Sequence, residues 1–254
     1  MAVAIASTPL LGLQLIALKT GAFDPKRLPV LWHRMAVRAL GVRVHVRGRV
    51  ACGRPLLIAA NHISWLDITV LSSISAMSFI AKSDMACWPV FGTFAQLQRS
   101  VFVERERRGK SGEQAGEIGR RLAAGDAMVL FPEGTTADGN FLSPFKSSLF
   151  GAAKLALDAG PHRSVLIQPV AISYTRLHGM PMGRRHRPVA AWIGDSELLP
   201  HFAALLREGA VDVEVEFGEP LEFTAATNRK TVARQVEEHV RRMRAETFRS
   251  PRRE

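Results

Sequence analysis

The sequence predicts an α/β protein: a mostly parallel or mixed central sheet flanked by helices, preceded by N-terminal helices suited to a membrane surface. Three observations carry this. From residue 42 onward, short apolar runs alternate with helix-length stretches. The first eighteen residues, MAVAIASTPLLGLQLIAL, contain no charged side chain. The chain is strongly basic, with 34 Lys and Arg against 23 acids and a formal charge of +11.

The elements follow in order. As a helix, residues 1–18 span about 27 Å, marginal against a hydrocarbon core of roughly 30 Å, and Pro9 divides them. A signal peptide needs a basic leader and a small-residue cleavage site. Lys19-Thr20-Gly21 is a poor match, so an anchor or interfacial helix is expected, with a buried core helix as the competing reading. Between Lys26 and Leu40, the apolar Leu28, Leu31, Trp32, Met35, Ala36 and Ala39 keep helical spacing while Arg27, Arg34 and Arg38 take the other side. A basic amphipathic helix with a Trp suits an anionic interface. Charges that follow residue 18 place the rest of the chain on the cytoplasmic side.

Strands are expected at 42–48, 56–60, 77–82, 100–104, 127–131, 164–173, 188–194 and 211–217. Helices are expected at 64–75, 84–97, 112–124, 146–159 and 228–247. No repeat or linker interrupts them. The organisation is therefore 1–40 as N-terminal helices at the membrane and 41–254 as one sheet-bearing domain.

Composition excludes several function classes. With 47% hydrophobic and 22% charged residues, the chain is neither disordered nor a polytopic membrane protein. Cys52 and Cys87 are too few for a disulfide framework or a four-cysteine zinc site, and no HExxH pair occurs, so no metal is expected. No G-x-S-x-G elbow occurs either. Gly109-Lys110-Ser111 imitates the end of a P-loop, but Glu104 stands where its first glycine belongs. One tyrosine and 7% aromatics argue against stacked single strands, so nucleic acid is not expected. The charge instead suits an anionic membrane or an acidic partner.

Three polar clusters each follow an apolar strand, where α/β proteins bind ligands. LLIAANHISWLD presents Asn61, His62, Ser64 and Asp67. Five residues apart across a strand-to-helix turn, Asp67 can fold back on His62, fix its tautomer and free the other ring nitrogen as a general base. The competing reading is a helix cap at Asn61 or Ser64 beside a structural histidine. SVFVERERR ends in Glu104 and Arg105, and arginine forks suit phosphate or carboxylate. FPEGTT offers Glu133, Gly134 and Thr135, whose backbone N–H groups and hydroxyl suit an anionic or polyol group.

Together, in this order, these clusters make the chain resemble the 1-acyl-sn-glycerol-3-phosphate acyltransferase (lysophospholipid acyltransferase) family. Asn61-His62-x4-Asp67 matches its first motif, Val101–Arg105 its second, Phe131–Thr135 its third and Ile167–Val170 its fourth, over roughly residues 40–220. The resemblance implies acyl transfer from a thioester to an alcohol, with His62 and Asp67 catalytic. It implies acceptor contacts from Arg105, Glu133, Gly134 and Thr135, and a site-shaping role for Pro169. It makes 41–254 the acyltransferase domain. No cofactor is implied; acyl carrier protein or coenzyme A brings the acyl group as co-substrate, and a membrane lysolipid is the acceptor.

Family members that use lysophosphatidate usually carry a basic residue where this chain has Thr136. The stretches FIAKSDMACWPVFGTFAQLQRSVFVERERR and GTTADGNFLSPFKSSL are similar to the branch that acylates lyso-ornithine lipid, whose head group is an amino acid. Lyso-ornithine lipid is thus the expected acceptor, with lysophosphatidate as the alternative, and the cytoplasmic face of a bacterial inner membrane is the expected location. Ser173, Tyr174 and the run Arg184, Arg185, His186, Arg187 are candidates for touching the donor or the membrane. A non-catalytic basic binding protein would explain the charge but not the polar clusters at strand ends. A thioester hydrolase, with water as the acceptor, is the third class.

Overall fold

The protein is described by a computed structural model covering residues 2–22, 24–82, 91–103, 111–194 and 196–250. Two helices, α1 (Ala2–Thr20) and α2 (Arg27–Ala39), lead into β1 (Val42–Arg47) and β2 (Leu56–Ala60). There follow α3 (Leu66–Ile74), β3 (Ser78–Lys82), α4 (Phe91–Leu97), β4 (Val101–Val103), α5 (Ser111–Ala123) and β5 (Ala127–Leu130). After a 3-10 turn at Ser147–Phe150 come α6 (Gly151–Ala159), the long β6 (Ser164–Leu177) and the short β7 (Met180–Pro181). The chain ends with α7 (Leu198–Glu208), β8 (Val211–Phe217), β9 (Leu221–Thr224) and α8 (Arg229–Arg249).

The strands form one mixed sheet in the order β1-β8-β6-β2-β5-β3-β4, with β7 and β9 also on β6. The pairs β2–β6, β2–β5, β5–β3, β3–β4 and β1–β8 are parallel, whereas β8 and β9 run antiparallel to β6. The central strand β2 explains its own sequence. LLIAA is apolar throughout because Leu56, Ile58 and Ala60 enter one core while Leu57 and Ala59 enter the other. Residues of α2, α3 and α7 fill the first core; residues of α5, α6 and α8 fill the second.

Two expectations need correction. Residues 188–194 are not a strand: Arg187–Val189 is a 3-10 turn with Pro188 in it, and the following loop donates the Trp192 N–H to the Ile63 carbonyl at 2.9 Å. Proline removes a ladder donor, and the segment crosses over the β2–α3 turn instead of pairing in the sheet. Residues 198–208, left unassigned by the sequence, form α7, with Pro200 in its first turn where its missing N–H costs nothing. The antiparallel β9 was also missed. Within 84–97, the helix covers Phe91–Leu97; the remainder, with Cys87, lies outside the described residues.

Pro9 does not break α1, and no helix among the described residues is long and apolar enough to cross a membrane. Leu13, Leu15, Ile16 and Leu18 of α1 and Leu31 of α2 are nevertheless exposed. The other side of this helix pair is held by polar contacts. Gln14 Nε2 donates to the Pro25 and Leu97 carbonyls at 2.9 and 3.0 Å. Buried His33, whose pKa burial lowers to about 4, is neutral and bonds Gln98 through Nε2 at 3.2 Å.

Asp126, at the mouth of β5, takes Lys26 Nζ at 2.7 Å and Arg121 at 3.0 Å. Burial pushes this carboxyl up, but Lys26 and Arg121 outweigh it and hold it below the usual range. Its folded pKa is depressed, so its stabilisation is present above the unfolded value and is lost as pH falls through the folded one. Asp126→Asn should therefore cost about 2 kcal/mol at neutral pH. The deficit relative to wild type should shrink below about pH 4, which denaturant titrations at several pH values would measure.

Candidate active site

The sheet brings the first and third motifs together. In the parallel pair β2–β5, Ala59 stands opposite Leu130, so the turn after β2 lies beside the turn after β5. Between β2 and α3 the chain must satisfy several backbone N–H groups with little water, and Asp67 does most of this. It is fully buried in the first turn of α3. Its Oδ2 accepts from Ile63 N at 2.6 Å, Ser64 N at 2.9 Å and His62 Nδ1 at 2.9 Å. Its Oδ1 accepts from the Tyr174 hydroxyl at 2.8 Å.

This bonding fixes the chemistry of His62. With its proton on Nδ1 facing the carboxylate, the ring carries its lone pair on Nε2, the arrangement a general base requires. Phe131 holds the ring plane: the two rings stack at 3.9 Å and 12°. The imidazole is 17% exposed, so it is reachable but largely shielded from water. The helix-cap reading of this cluster does not hold. Asn61 instead clamps β6, donating to the Ile172 carbonyl at 3.0 Å and accepting from its N–H at 2.8 Å. Ser64 Oγ is buried without a hydrogen-bond partner.

Glu133, expected at the head group, is engaged with the backbone of two loops. It is buried, and its two oxygens accept the backbone N–H groups of His62 at 2.7 Å and Ser143 at 2.8 Å. Burial pushes its carboxyl up, against the pull of those N–H groups and Arg244. It ties the His62 turn to the loop after β5, and the Ala137 N–H to His62 carbonyl bond at 2.9 Å closes the same junction. Gly134 follows at φ +76°, a conformation that favours glycine, and Thr135 is exposed at the rim.

The second motif supplies β4 two strands away from β5, while its Arg105 lies outside the described residues. The fourth motif is structural at Gln168, whose amide binds the Arg49 and Gly218 carbonyls and the Ala51 N–H. Among the described residues, no group of His, Cys, Asp and Glu could hold a metal ion.

Sequence reasoning missed the role of Tyr174, whose hydroxyl donates to Asp67. It is buried on β6, and burial, then Asp67, raises its pKa well above the usual phenol value, so it stays a donor. The signal was an isolated tyrosine in an apolar strand, but only the β2–β6 pairing shows what it faces. Tyr174→Phe removes one hydrogen bond to a buried carboxylate while keeping the ring. It should lower the turnover number about tenfold with little change in the KM of either substrate, measured by steady-state kinetics.

The comparisons with known proteins agree with this geometry. The acyltransferase family model matches residues 41–173. The chain is 54% identical over 92% of its length to the lyso-ornithine lipid O-acyltransferase of Brucella abortus (strain 2308), covering 88% of that protein. It is 50% identical over 98% of its length to the protein of the same name from Rhizobium meliloti (strain 1021), covering 85% of it. Its fold superposes on the crystal structure of the 1-acyl-sn-glycerophosphate acyltransferase PlsC from Thermotoga maritima with a TM-score of 0.65, over 99% of this chain and 95% of that one, at 20% identity. A motif-bearing site at the strand ends, a matching family model and two relatives along almost the whole length place this chain in the acyltransferase family.

Proposed function

We propose that the protein is a lyso-ornithine lipid O-acyltransferase working on the cytoplasmic face of a bacterial inner membrane. The observation that carries the chemistry is the 2.9 Å bond from His62 Nδ1 to a fully buried Asp67. Nε2 of His62 takes the proton of the lysolipid hydroxyl as that oxygen attacks the thioester carbonyl of acyl carrier protein or coenzyme A. The tetrahedral oxyanion collapses to the ester and expels the thiolate, which receives the proton from the imidazolium. Asp67 stabilises that imidazolium between the two transfers. The donor is already activated, so no acyl-enzyme is required.

The acceptor assignment is supported by the two relatives that are 54% and 50% identical to this chain over the aligned residues and by the uncharged Thr136 after the Glu-Gly-Thr turn. Arg105, Gly134 and Thr135 are proposed to meet the head group; Glu133 acts by holding the loop that carries them. Docking is assigned to α1 and α2, whose exposed Leu13, Leu15, Ile16, Leu18 and Leu31 are joined by Arg27, Arg34 and Arg38.

The purified protein, given labelled acyl-carrier-protein or coenzyme A thioester, should form lipid product with lyso-ornithine lipid. Product with lysophosphatidate alone would reassign the acceptor, and acyl release independent of any acceptor would make it a hydrolase. His62→Ala should cut transfer at least a thousandfold while flotation with anionic vesicles persists. The double change Leu15→Glu, Ile16→Glu should instead lose flotation while the protein keeps its melting temperature.

A further inference from the structure

Buried arginine is costly unless an anion faces it. Around the loop after β5, Arg184, Arg187 and Arg244 have no carboxylate within ion-pair distance among the described residues. Arg244, on α8, is only 5% exposed. It donates to the Gly139 carbonyl at 2.7 Å, and its Nε–H has no partner. The half-buried Arg187 lies over the Phe248 ring at 3.6 Å and reaches Asn140 Oδ1 at 3.4 Å, and its Nε–H is likewise unpartnered. Arg244 faces the same ring at 5.8 Å. Exposed Arg184 completes a path from solvent inward, its carbonyl held by Asn140 Nδ2 at 3.0 Å.

This cluster adjoins the catalytic turn. A Cβ on Gly139 would stand 3.6 Å from both Arg187 Cβ and Ile63 Cγ2, and Ile63 follows the catalytic histidine. The nearby acids do not neutralise it at contact. Glu133 spends its oxygens on His62 N and Ser143 N, and Asp138 spends one on the Asn140 and Phe141 N–H groups and the other on Asn140 Nδ2.

The cluster is of mixed sign. The arginines offer a carboxylate its guanidinium partners and the half-buried Asp138 offers an ammonium its counter-charge, a pairing that a phosphate monoester with no cation would leave half unused. We propose that Arg187 and Arg244 bind the carboxylate of the acceptor's amino-acid head group, with Asp138 facing its ammonium. The assignment rests on the acceptor being lyso-ornithine lipid. It supplies the anion that the arginine pair lacks and replaces the basic side chain absent at Thr136. The guanidinium forks thereby place the acceptor's hydroxyl-bearing chain beside His62.

The test uses the full-length protein in mixed micelles with lyso-ornithine lipid, its carboxyl methyl ester and lysophosphatidate as acceptors. Arg187→Gln should raise the KM for the free acid about tenfold or more and leave the donor KM unchanged. Wild type should disfavour the methyl ester by a similar factor, and Arg187→Gln should not distinguish acid from ester. Arg244→Gln should behave alike; if it fails to fold, Arg187→Gln and the ester decide alone. Undiminished acid-over-ester preference in Arg187→Gln overturns the proposal. So does a raised donor KM with the acceptor KM unchanged, which would assign the arginines to donor phosphates. In both cases wild-type turnover of lyso-ornithine lipid leaves the function itself standing. Wild type that uses only lysophosphatidate overturns the acceptor assignment, and the carboxylate with it.

Discussion

The site depends on one buried carboxylate. Asp67 accepts four hydrogen bonds, two from the backbone of the turn that carries His62, one from the imidazole and one from a phenol on the neighbouring strand. The two backbone bonds give the turn its shape and the other two give the histidine its orientation and the carboxylate its place. The shape of the turn and the proposed catalysis therefore draw on the same carboxylate. A side chain one methylene longer could not serve Ile63 N, Ser64 N and His62 Nδ1 from a single oxygen without moving the first turn of α3.

The surrounding loops are bound to this turn through the main chain. Glu133 holds the His62 N–H, Asn61 substitutes for a missing strand partner at Ile172, and Trp192 N–H closes on Ile63. Motifs separated by some seventy residues thus behave as one rigid piece because β2 lies between β5 and β6. Parallel neighbours end on the same edge of a sheet, which is why the chemistry gathers there.

Much of this was legible in the sequence, and the misses have physical causes. The apolar run of β2 and the polar turn after it located His62 and Asp67, because a strand buried on both faces leaves a continuous apolar run that loops do not. Glu133 was found, but its backbone partners were not: sequence shows a carboxylate in a turn, not which N–H groups it faces. Residues 188–194 looked like a strand because apolar composition hides the effect of Pro188. α7 went unseen because Pro200 and a short amphipathic pattern resemble a loop. Tyr174 and Arg187 drew notice in the sequence, but their partners could not be read, nor those of Arg244, since these lie between 47 and 107 residues away.

The tyrosine has a practical side. Tyr174 is the chain's single phenol, beside four indoles. Isotope labelling of tyrosine alone would therefore yield one resonance, from a ring whose hydroxyl rests on the carboxylate that orients the base. Any change in that carboxylate's charge or position registers at this ring. The enzyme carries its own reporter, bonded one atom from the group it reports on.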